Sequence, residues 1–446
     1  MMMEKLMALS FSLMILGQAM ALRLYAGTWI VPGCIFGLFW FLYTFVPLLF
    51  LWDVPANVYA VAYIFVACLV FSLGALPFRW RLGFEMRAKN AGALNYGSPF
   101  MLRAFYVTSM ITAVSLIIDL HIQGVSLKQV VTNPLAIAGA MTAKRYGAEL
   151  VPNLFAQLSF VLQYPSAILG GFIYSTREVG VRRWSILLLT FLPSILAMVL
   201  QGAKGNLFLV LVLFWAATLV CKVNRGKLAL FGVQDLRRAA PYAAVIFGLV
   251  LLAMASRGLL DSSGDVKAAL VRLVASYATA HMYAFSDWFA HLVGHGGTLP
   301  YVDNLGDYGI YTFTPVARLL GNDTPLPAGV YEEYFAYGDV IQTNIYTMFR
   351  GLINDFGLSG SLIVMLLAGS AIHVAYWIFL MSKSPSFSTS IFIHSIGYFY
   401  TSFIISLLIW NSIYASILIT ALLCFFGRYF GGGEVPAPCG RGPAGG

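Results

Sequence analysis

Residues 343–369, TNIYTMFRGLINDFGLSGSLIVMLLAG, place polar and ionisable side chains directly before an apolar segment. Those that could do chemistry are Asn344, Tyr346, Arg350, Asn354 and Asp355. An unpaired Arg in a membrane costs at least about 2.5–3.5 kcal/mol, so Arg350 needs a partner, a route to water or a ligand. Asp355 is one candidate partner, although a separation of five residues pairs less well on a helix than three or four.

Two further cations stand at the ends of apolar segments. Lys204, in QGAKGNLF, is flanked by Gly202 and Gly205, and glycine lets a backbone approach a ligand closely. Arg257, in MASRGLLDSSGD, carries a guanidinium suited to two-point recognition of phosphate oxygens. We interpret both as anion contacts; the alternatives are a snorkelling Lys204 and an interfacial anchor at Arg257.

Three histidines and an aspartate form a second group, His281, Asp287, His291 and His295. On a helix Asp287 and His291 share a face, so the carboxylate could orient the ring while the ring accepts a proton. A metal site is an alternative, but no HExxH or Cys/His spacing supports it, and we predict neither metal nor cofactor. A surface cluster without a role is the remaining interpretation.

Aromatic residues are dense around these histidines. Such rings suit a membrane-interface belt, or they could lie against the apolar faces of sugars. The aromatic residues of this region are Tyr277, Tyr283, Phe285, Trp288, Phe289, Tyr301, Tyr308, Tyr311, Phe313, Tyr331, Tyr334, Phe335 and Tyr337.

The elements that must position these groups are membrane helices. Of the 446 residues, 60% are hydrophobic and 10% are charged, whereas a soluble chain carries about 25% charged residues. Apolar runs of about 20 residues can each cross a ~30 Å hydrocarbon core. We therefore predict an all-α polytopic membrane protein with about eleven transmembrane helices. They lie at about 6–22, 28–51, 56–76, 100–120, 152–175, 184–200, 206–222, 240–256, 359–381, 388–409 and 410–427.

Charge fixes the expected orientation. The basic residues cluster after the third, fifth, seventh and ninth segments, all on one side, which the positive-inside rule assigns to the cytoplasm. The net charge of +9 is thereby explained without nucleic acid. We divide the chain into an N-terminal bundle of about eight helices (1–256), a long helical extracytoplasmic loop (257–345), C-terminal helices (346–430) and a disordered tail (431–446). A signal peptide at the N-terminus is an alternative to a first span.

Taken in order, four segments resemble those of bacterial oligosaccharide repeat-unit polymerases, the Wzy-type O-antigen and exopolysaccharide polymerases. The segments are GAKG at 202–205, YATAHMYAFSDWF at 277–289, GIYTFTPVARLLG at 309–321 and NIYTMFRGLINDFGLSG at 344–360. Many members of the family have Arg where this chain has Lys204, which loses a bidentate fork.

The resemblance implies a glycosyltransferase in the cytoplasmic (inner) membrane of a bacterium, acting on undecaprenyl-pyrophosphate-linked oligosaccharides. Lys204, Arg257 and Arg350 would offset charge on the departing pyrophosphate. His291, backed by Asp287, is the first candidate for the base that deprotonates the acceptor hydroxyl.

His281 is the second candidate for that base. Asn344, Tyr346 and Asp355 would bind substrate or orient Arg350. We expect Arg257→Ala to abolish polymer while the single-repeat product persists. A chain-length regulator and a flippase are candidate partners besides the lipid bilayer. The alternatives are an O-antigen ligase, and a flippase or transporter of lipid-linked sugar.

Overall fold

The fold comes from a computed structural model that describes residues 2–90, 95–147, 149–176, 182–232, 275–294, 297–302, 305–326 and 330–430, with the single residues 237, 240, 248 and 272. Most of the predicted span 240–256, together with Arg257, His295 and the tail 431–446, lies outside these residues.

Helices dominate the described chain. They are α1 (Met2–Ala26), α2 (Pro32–Phe50), α3 (Val58–Leu73), α4 (Trp80–Lys89), α5 (Pro99–Ile122), α6 (Leu127–Thr132), α7 (Pro134–Tyr146), α8 (Leu154–Thr176), α9 (Arg183–Gln201), α10 (Lys204–Asn224), α11 (Ala280–Leu292), α12 (Thr314–Leu319), α13 (Thr347–Met381), α14 (Ser386–Thr401) and α15 (Asn411–Phe430). Two three-residue strands, β1 (Phe335–Tyr337) and β2 (Ile341–Thr343), pair in antiparallel fashion.

Seven of the described helices are long and apolar enough to cross a membrane: α1, α2, α5, α9, α10, α13 and α15. A mostly helical, multi-pass membrane protein is therefore confirmed, whereas the predicted number of eleven spans is not. The other predicted spans that are described correspond to α3, α8 and α14. With 16 residues each, α3 and α14 reach about 24 Å at 1.5 Å per residue, which is less than the thickness of the hydrocarbon core.

One end of the bundle, which we call the loop face, brings together the start of α1, the end of α2 and α11. The buried ammonium of Lys5 donates hydrogen bonds to the carbonyls of Leu51 at 2.8 Å and Val54 at 2.7 Å, and to the hydroxyl of Tyr283 at 2.7 Å. The N-terminus and the long connection before α13 therefore lie at the same end of the bundle.

The opposite end, which we call the basic face, carries the connections after α3, α8, α10 and α13. Arg87 of α4 donates a hydrogen bond to the carbonyl of Ser382 at 2.8 Å, directly after α13. Arg225, at the end of α10, donates to the carbonyl of Ser175 in α8 at 2.9 Å. The guanidinium groups thus satisfy carbonyls that helix ends leave without an intrahelical partner.

The loop-face connection between α5 and α8 holds two short helices that meet at Pro134. Here Asp119, at the end of α5, accepts hydrogen bonds from Gln123 at 3.2 Å, Asn153 at 2.8 Å and Gln201 at 2.9 Å. This buried carboxylate therefore ties the ends of α5 and α9 to the start of α8.

The described part of the long connection before α13 is made of short helical and strand elements. It contains a one-turn π-helix (Ala275–Thr279), α11, α12 and the β1–β2 hairpin. Residues 275–292 are helical throughout, as the π-helical turn followed directly by α11. The hairpin is a departure from the all-α prediction: Gly338, at φ +50°, closes the turn between its strands.

α13 begins well before the predicted span at 359. Its first ten residues form a separate helical segment, because Gly357 adopts φ 69° and ψ 177°, which interrupts the helix. The segment Thr347–Phe356 carries Arg350, and the remainder of α13 is the apolar span. Similarly, the predicted span 388–409 ends at Thr401, and a short 3-10 turn (Leu407–Ile409) precedes α15.

Candidate functional site

Arg350 lies in a cage of aromatic rings at the loop face. Its side chain is 1% exposed, and its guanidinium carbon lies 4.1 Å from the ring centre of Tyr331 and 4.3 Å from that of Tyr346. Tyr301 follows at 5.3 Å and Trp288 at 5.4 Å. Aromatic faces attract cations, more strongly when water is excluded. We call Arg350, these four rings and Glu333 the Arg350 cage.

Glu333 supplies the negative charge of the cage. Its Oε1 accepts a hydrogen bond from Nη2 of Arg350 at 2.9 Å and from the backbone N–H of Val302 at 3.2 Å. Burial raises the pKa of this carboxyl, but the charge and hydrogen bond of Arg350 outweigh burial and hold the pKa below its ordinary value. The partner of Arg350 is therefore Glu333, and the ion pair with Asp355 considered from the sequence is wrong.

Four elements deliver the members of the cage. α11 contributes Trp288, the segment after it Tyr301, the chain before β1 Tyr331 and Glu333, and the start of α13 Tyr346 and Arg350. The hydroxyl of Tyr346 also donates a hydrogen bond to the backbone carbonyl of Glu333 at 3.1 Å. Docking of these segments on one guanidinium therefore fixes the loop on top of α13.

Asp287 is linked to the cage through Tyr301. Its carboxylate accepts hydrogen bonds from the Tyr301 hydroxyl at 2.6 Å and from the hydroxyl of Thr298 at 2.9 Å. Burial and this bond to Asp287 raise the pKa of Tyr301, so the phenol stays protonated and donates. Asp287 is thus held in place by Tyr301 and Thr298.

His291 reaches the same tyrosine from the last turn of α11. Its ring centre lies 5.4 Å from that of Tyr301, and its side chain is half-buried. The chain can fold back here because a Cβ at Gly297 would stand 2.6 Å from the Cβ of His291, a distance that only glycine avoids. The predicted base, its carboxylate and Arg350 therefore converge on Tyr301.

Several polar atoms around the cage are buried and lack a hydrogen-bond partner within the described residues. They include Nε and Nη1 of Arg350, the hydroxyl of Tyr331, the indole nitrogen of Trp288 and Oδ1 of Asn354. Most buried polar groups in proteins are hydrogen-bonded, so each exception indicates a place for a bound water, ion or ligand. Donors and acceptors side by side with aromatic faces suit a hydroxyl-rich or anionic ligand.

Asn344 and Asp355, the other polar candidates before the apolar span, lie next to the Arg350 cage. Asn344 donates a long hydrogen bond of 3.4 Å to the carbonyl of Tyr331, next to the cage. Asp355 is buried below it and accepts from the backbone N–H of Tyr311 at 3.1 Å. The rings of Tyr311 and Tyr331 stack with an angle of 2°. Asp355 therefore positions a wall of the cage and does not contact Arg350 as an ion pair.

Lys204 lies at a separate position of the loop face. A tight turn precedes it: α9 ends at Gln201, Gly202 adopts the left-handed φ of 67°, and α10 begins at Lys204. The ammonium stands 4.9 Å from the ring centre of Tyr277 in the π-helix. Lys204 thus contacts the long connection through an aromatic residue outside the Arg350 cage.

His281 is buried and lies within hydrogen-bonding distance of a backbone carbonyl of α2 that a proline leaves without its helical partner. Pro47 has no N–H, so the carbonyl of Tyr43 loses its helical partner. Nε2 of His281 lies 3.0 Å from this oxygen and must carry a proton to bond it. Burial lowers the pKa of His281 to about 4, although this hydrogen bond works in the other direction. Its environment is that of a neutral histidine with a packing role.

Sequence reasoning missed two charged residues of the loop face. Nothing in the sequence distinguishes Glu333 from the other acidic residues of 257–345, and Lys5 reads only as a charge before the first apolar segment. Their partners are distant in sequence, and only the YGD segment at 337–339 indicates the turn of the hairpin that follows Glu333.

A comparison of the chain with models of protein families, with curated proteins and with solved structures finds no match.

Proposed function

We propose that the protein is a glycosyltransferase of the lipid-linked type, an oligosaccharide repeat-unit polymerase. It would transfer a growing glycan from undecaprenyl pyrophosphate to a hydroxyl of the next lipid-linked repeat unit, on the outer side of the cytoplasmic membrane. The motifs at 202–205, 277–289, 309–321 and 344–360 support this family.

The observation that carries the proposal is the Arg350 cage itself. A cation that is 1% exposed, has two N–H groups unpartnered within the described residues and is enclosed by aromatic rings stands where a membrane helix meets the loop. A lipid-linked glycan presents a pyrophosphate and sugar hydroxyls at that level. Arg is suited to phosphate oxygens, and the rings are suited to the apolar faces of sugars.

The reaction breaks the bond between the anomeric carbon and the pyrophosphate oxygen and forms one to the acceptor hydroxyl oxygen. The pyrophosphate leaves with the bonding electrons, and a cation within reach stabilises this developing charge. The acceptor proton passes to a base, for which His291 beside Tyr301 is the candidate. Among the described residues, Arg350 and Lys204 are the candidate cations for the leaving group.

A transporter would need ionisable side chains free to act along a path through the spans. His373 of α13 and His394 of α14 are instead engaged locally. His373 lies 3.0 Å from the backbone N–H of Gly33, and His394 lies 2.8 Å from the hydroxyl of Ser416. These contacts give both histidines a role in helix packing, so neither one favours the transporter.

The test is analysis of surface glycan in cells that carry Arg350→Lys in place of the natural protein. Lysine keeps the charge but loses the planar fork, so we expect the long-chain ladder to collapse to one repeat. The matched control is Arg318→Lys, which makes the same change at an exposed arginine of α12 and should leave the ladder intact. Both variants must reach the membrane at the natural level.

Two outcomes would contradict the proposal. A normal ladder in a properly inserted Arg350→Lys variant would remove Arg350 from the reaction. Accumulation of long polymer on the lipid carrier would identify a ligase instead, because a ligase acts after polymerisation is complete.

A further inference from the structure

A patch of large apolar side chains covers the outer surface of α12. Leu319 is 87% exposed, Leu320 is 83% exposed and Tyr308 is 80% exposed, with Val316 at 40%. We call these four residues the α12 patch. Such a concentration of exposed apolar surface marks an interaction site with protein, ligand or membrane.

α12 exposes its large apolar residues, whereas an amphipathic helix on an aqueous surface buries them. Its buried face carries the small residues Thr314 and Ala317, whereas Val316 and Leu319 point away from the protein. In a helix on an aqueous surface the large apolar residues would face the core. α12 is therefore built for an apolar environment on its outer side.

Polar contacts on the protein side attach the α12 patch to the bundle. The amide of Asn322 donates a hydrogen bond of 2.8 Å to the carbonyl of Asp307, which brings the chain beside Tyr308 next to the end of α12. The hydroxyl of Ser406 donates to the carbonyl of Thr312 at 2.8 Å. These bonds fix the side of α12 that carries Leu319 and Leu320 away from the protein.

The position of α12 identifies what covers the patch. Ser406 lies in the connection between α14 and α15, and Trp410, just before α15, is 44% exposed. The ring of Phe313 lies 6.5 Å from that of Phe356, one residue before the helix break at Gly357. α12 therefore lies beside the loop-face ends of two spans, where exposed Trp and Tyr are typical of the membrane interface.

We propose that the α12 patch inserts into the lipid bilayer at the loop face and anchors the long connection to the membrane surface. The occupant is the boundary between headgroups and acyl chains, because the patch continues the lipid-facing surface of the spans. Arg318 and Asp323 at its edges remain in the polar zone. The anchor does not depend on the reaction that the protein catalyses.

A consequence is that the Arg350 cage is kept at a fixed depth. The segment that carries Tyr308 continues to Tyr311, which is bonded to Asp355 and stacked on Tyr331. Tyr331 in turn lies against Arg350. The bilayer contact and the buried guanidinium are therefore joined by a short chain of direct contacts.

Spin labelling of the purified protein in lipid vesicles tests this anchor. The background carries Cys439→Ser, and the cysteines at 34, 68, 221 and 424 are buried. A nitroxide at Leu320→Cys should be more accessible to oxygen, which concentrates in the bilayer, than to a water-soluble nickel chelate. A nitroxide at Asp323→Cys, three residues further along, should show the reverse preference.

A second label at Leu319→Cys guards against a local perturbation and should behave like the first. Higher accessibility to the nickel chelate at both leucines would show an aqueous surface and overturn the proposal. Immobile labels that neither reagent reaches would show a protein contact, such as a second copy of the chain, and would overturn it equally.

Discussion

The ion pair between Arg350 and Glu333 can be tested directly, because one substitution removes the charge of the carboxylate and leaves its size unchanged. Glu333→Gln keeps the size of the side chain but removes its charge. Because Arg350 then remains buried without a counter-ion, we expect the free energy of unfolding to fall by about 3–5 kcal/mol. Unfolding of the purified protein in lipid nanodiscs measures this loss. The control is Glu332→Gln, at the neighbouring exposed acid, where the change should stay within about 0.5 kcal/mol.

The same pair predicts a dependence on pH. The pKa of Glu333 in the folded protein lies below its ordinary value of 4.5, so its ionised form is favoured by folding. The stabilisation is therefore complete above this ordinary value and is lost as the pH falls through the lower folded pKa. Acid should destabilise the natural protein more than Glu333→Gln. Equal acid sensitivity of the two would show that the carboxylate contributes nothing.

His281 offers a test that separates packing from catalysis. In His281→Gln the side-chain amide can still donate to the carbonyl of Tyr43, whereas in His281→Ala that carbonyl is left unsatisfied at a cost of about 1–3 kcal/mol. We expect the Gln variant to retain stability and glycan polymer, because its one essential contact is kept. Loss of polymer from a stable His281→Gln protein would return His281 to the list of candidate bases.

Protonation of His281 adds a second readout. Its folded pKa of about 4 lies below the ordinary value of 6.5, so folding favours the neutral ring. This contribution is fully present above pH 6.5 and is lost as the pH falls towards 4. His281→Gln should therefore lose less stability than the natural protein across that interval, and identical pH profiles would contradict the buried neutral ring.

At the scale of elements, the break inside α13 is what separates the cage from the membrane span. Gly357 combines φ 69° with ψ 177°, a region that is essentially restricted to glycine. The break redirects the chain between the segment that carries Arg350 and the apolar helix below. A continuous helix would place Arg350 in a different direction relative to Tyr331 and Tyr346.

Gly357→Ala should therefore destabilise the protein by about 1–3 kcal/mol and lower the amount of polymer in the glycan assay. A matched control is Gly17→Ala in α1, where an added Cβ meets no atom within 4 Å; alanine there should be neutral or slightly stabilising because its helix propensity exceeds that of glycine. Equal behaviour of the two variants in unfolding and glycan assays would argue against a required break.

Across the molecule, those parts of the fold that depend on residues close together in the sequence could be predicted. Hydropathy locates every described span, Pro134 accounts for the break between α6 and α7, and Gly202 accounts for the turn before Lys204. Contacts between distant segments could not be predicted. Lys5 binds Tyr283 across 278 positions, and Glu332 and Glu333 are indistinguishable in the sequence until the fold presents one of them to Arg350.

The two faces of the bundle yield the last prediction, which concerns sidedness. Lys5 joins the N-terminus to α11, so both must lie on one side of the membrane. The proposed reaction requires that side to be the cell exterior.

In a Cys439→Ser background, Asp339→Cys of the hairpin should react with a membrane-impermeant thiol reagent in intact cells. Lys383→Cys, on the basic face, should react only after permeabilisation. Both positions are exposed. The opposite pattern would place the Arg350 cage in the cytoplasm, where no externally assembled glycan could reach it, and the proposed function would fail together with it.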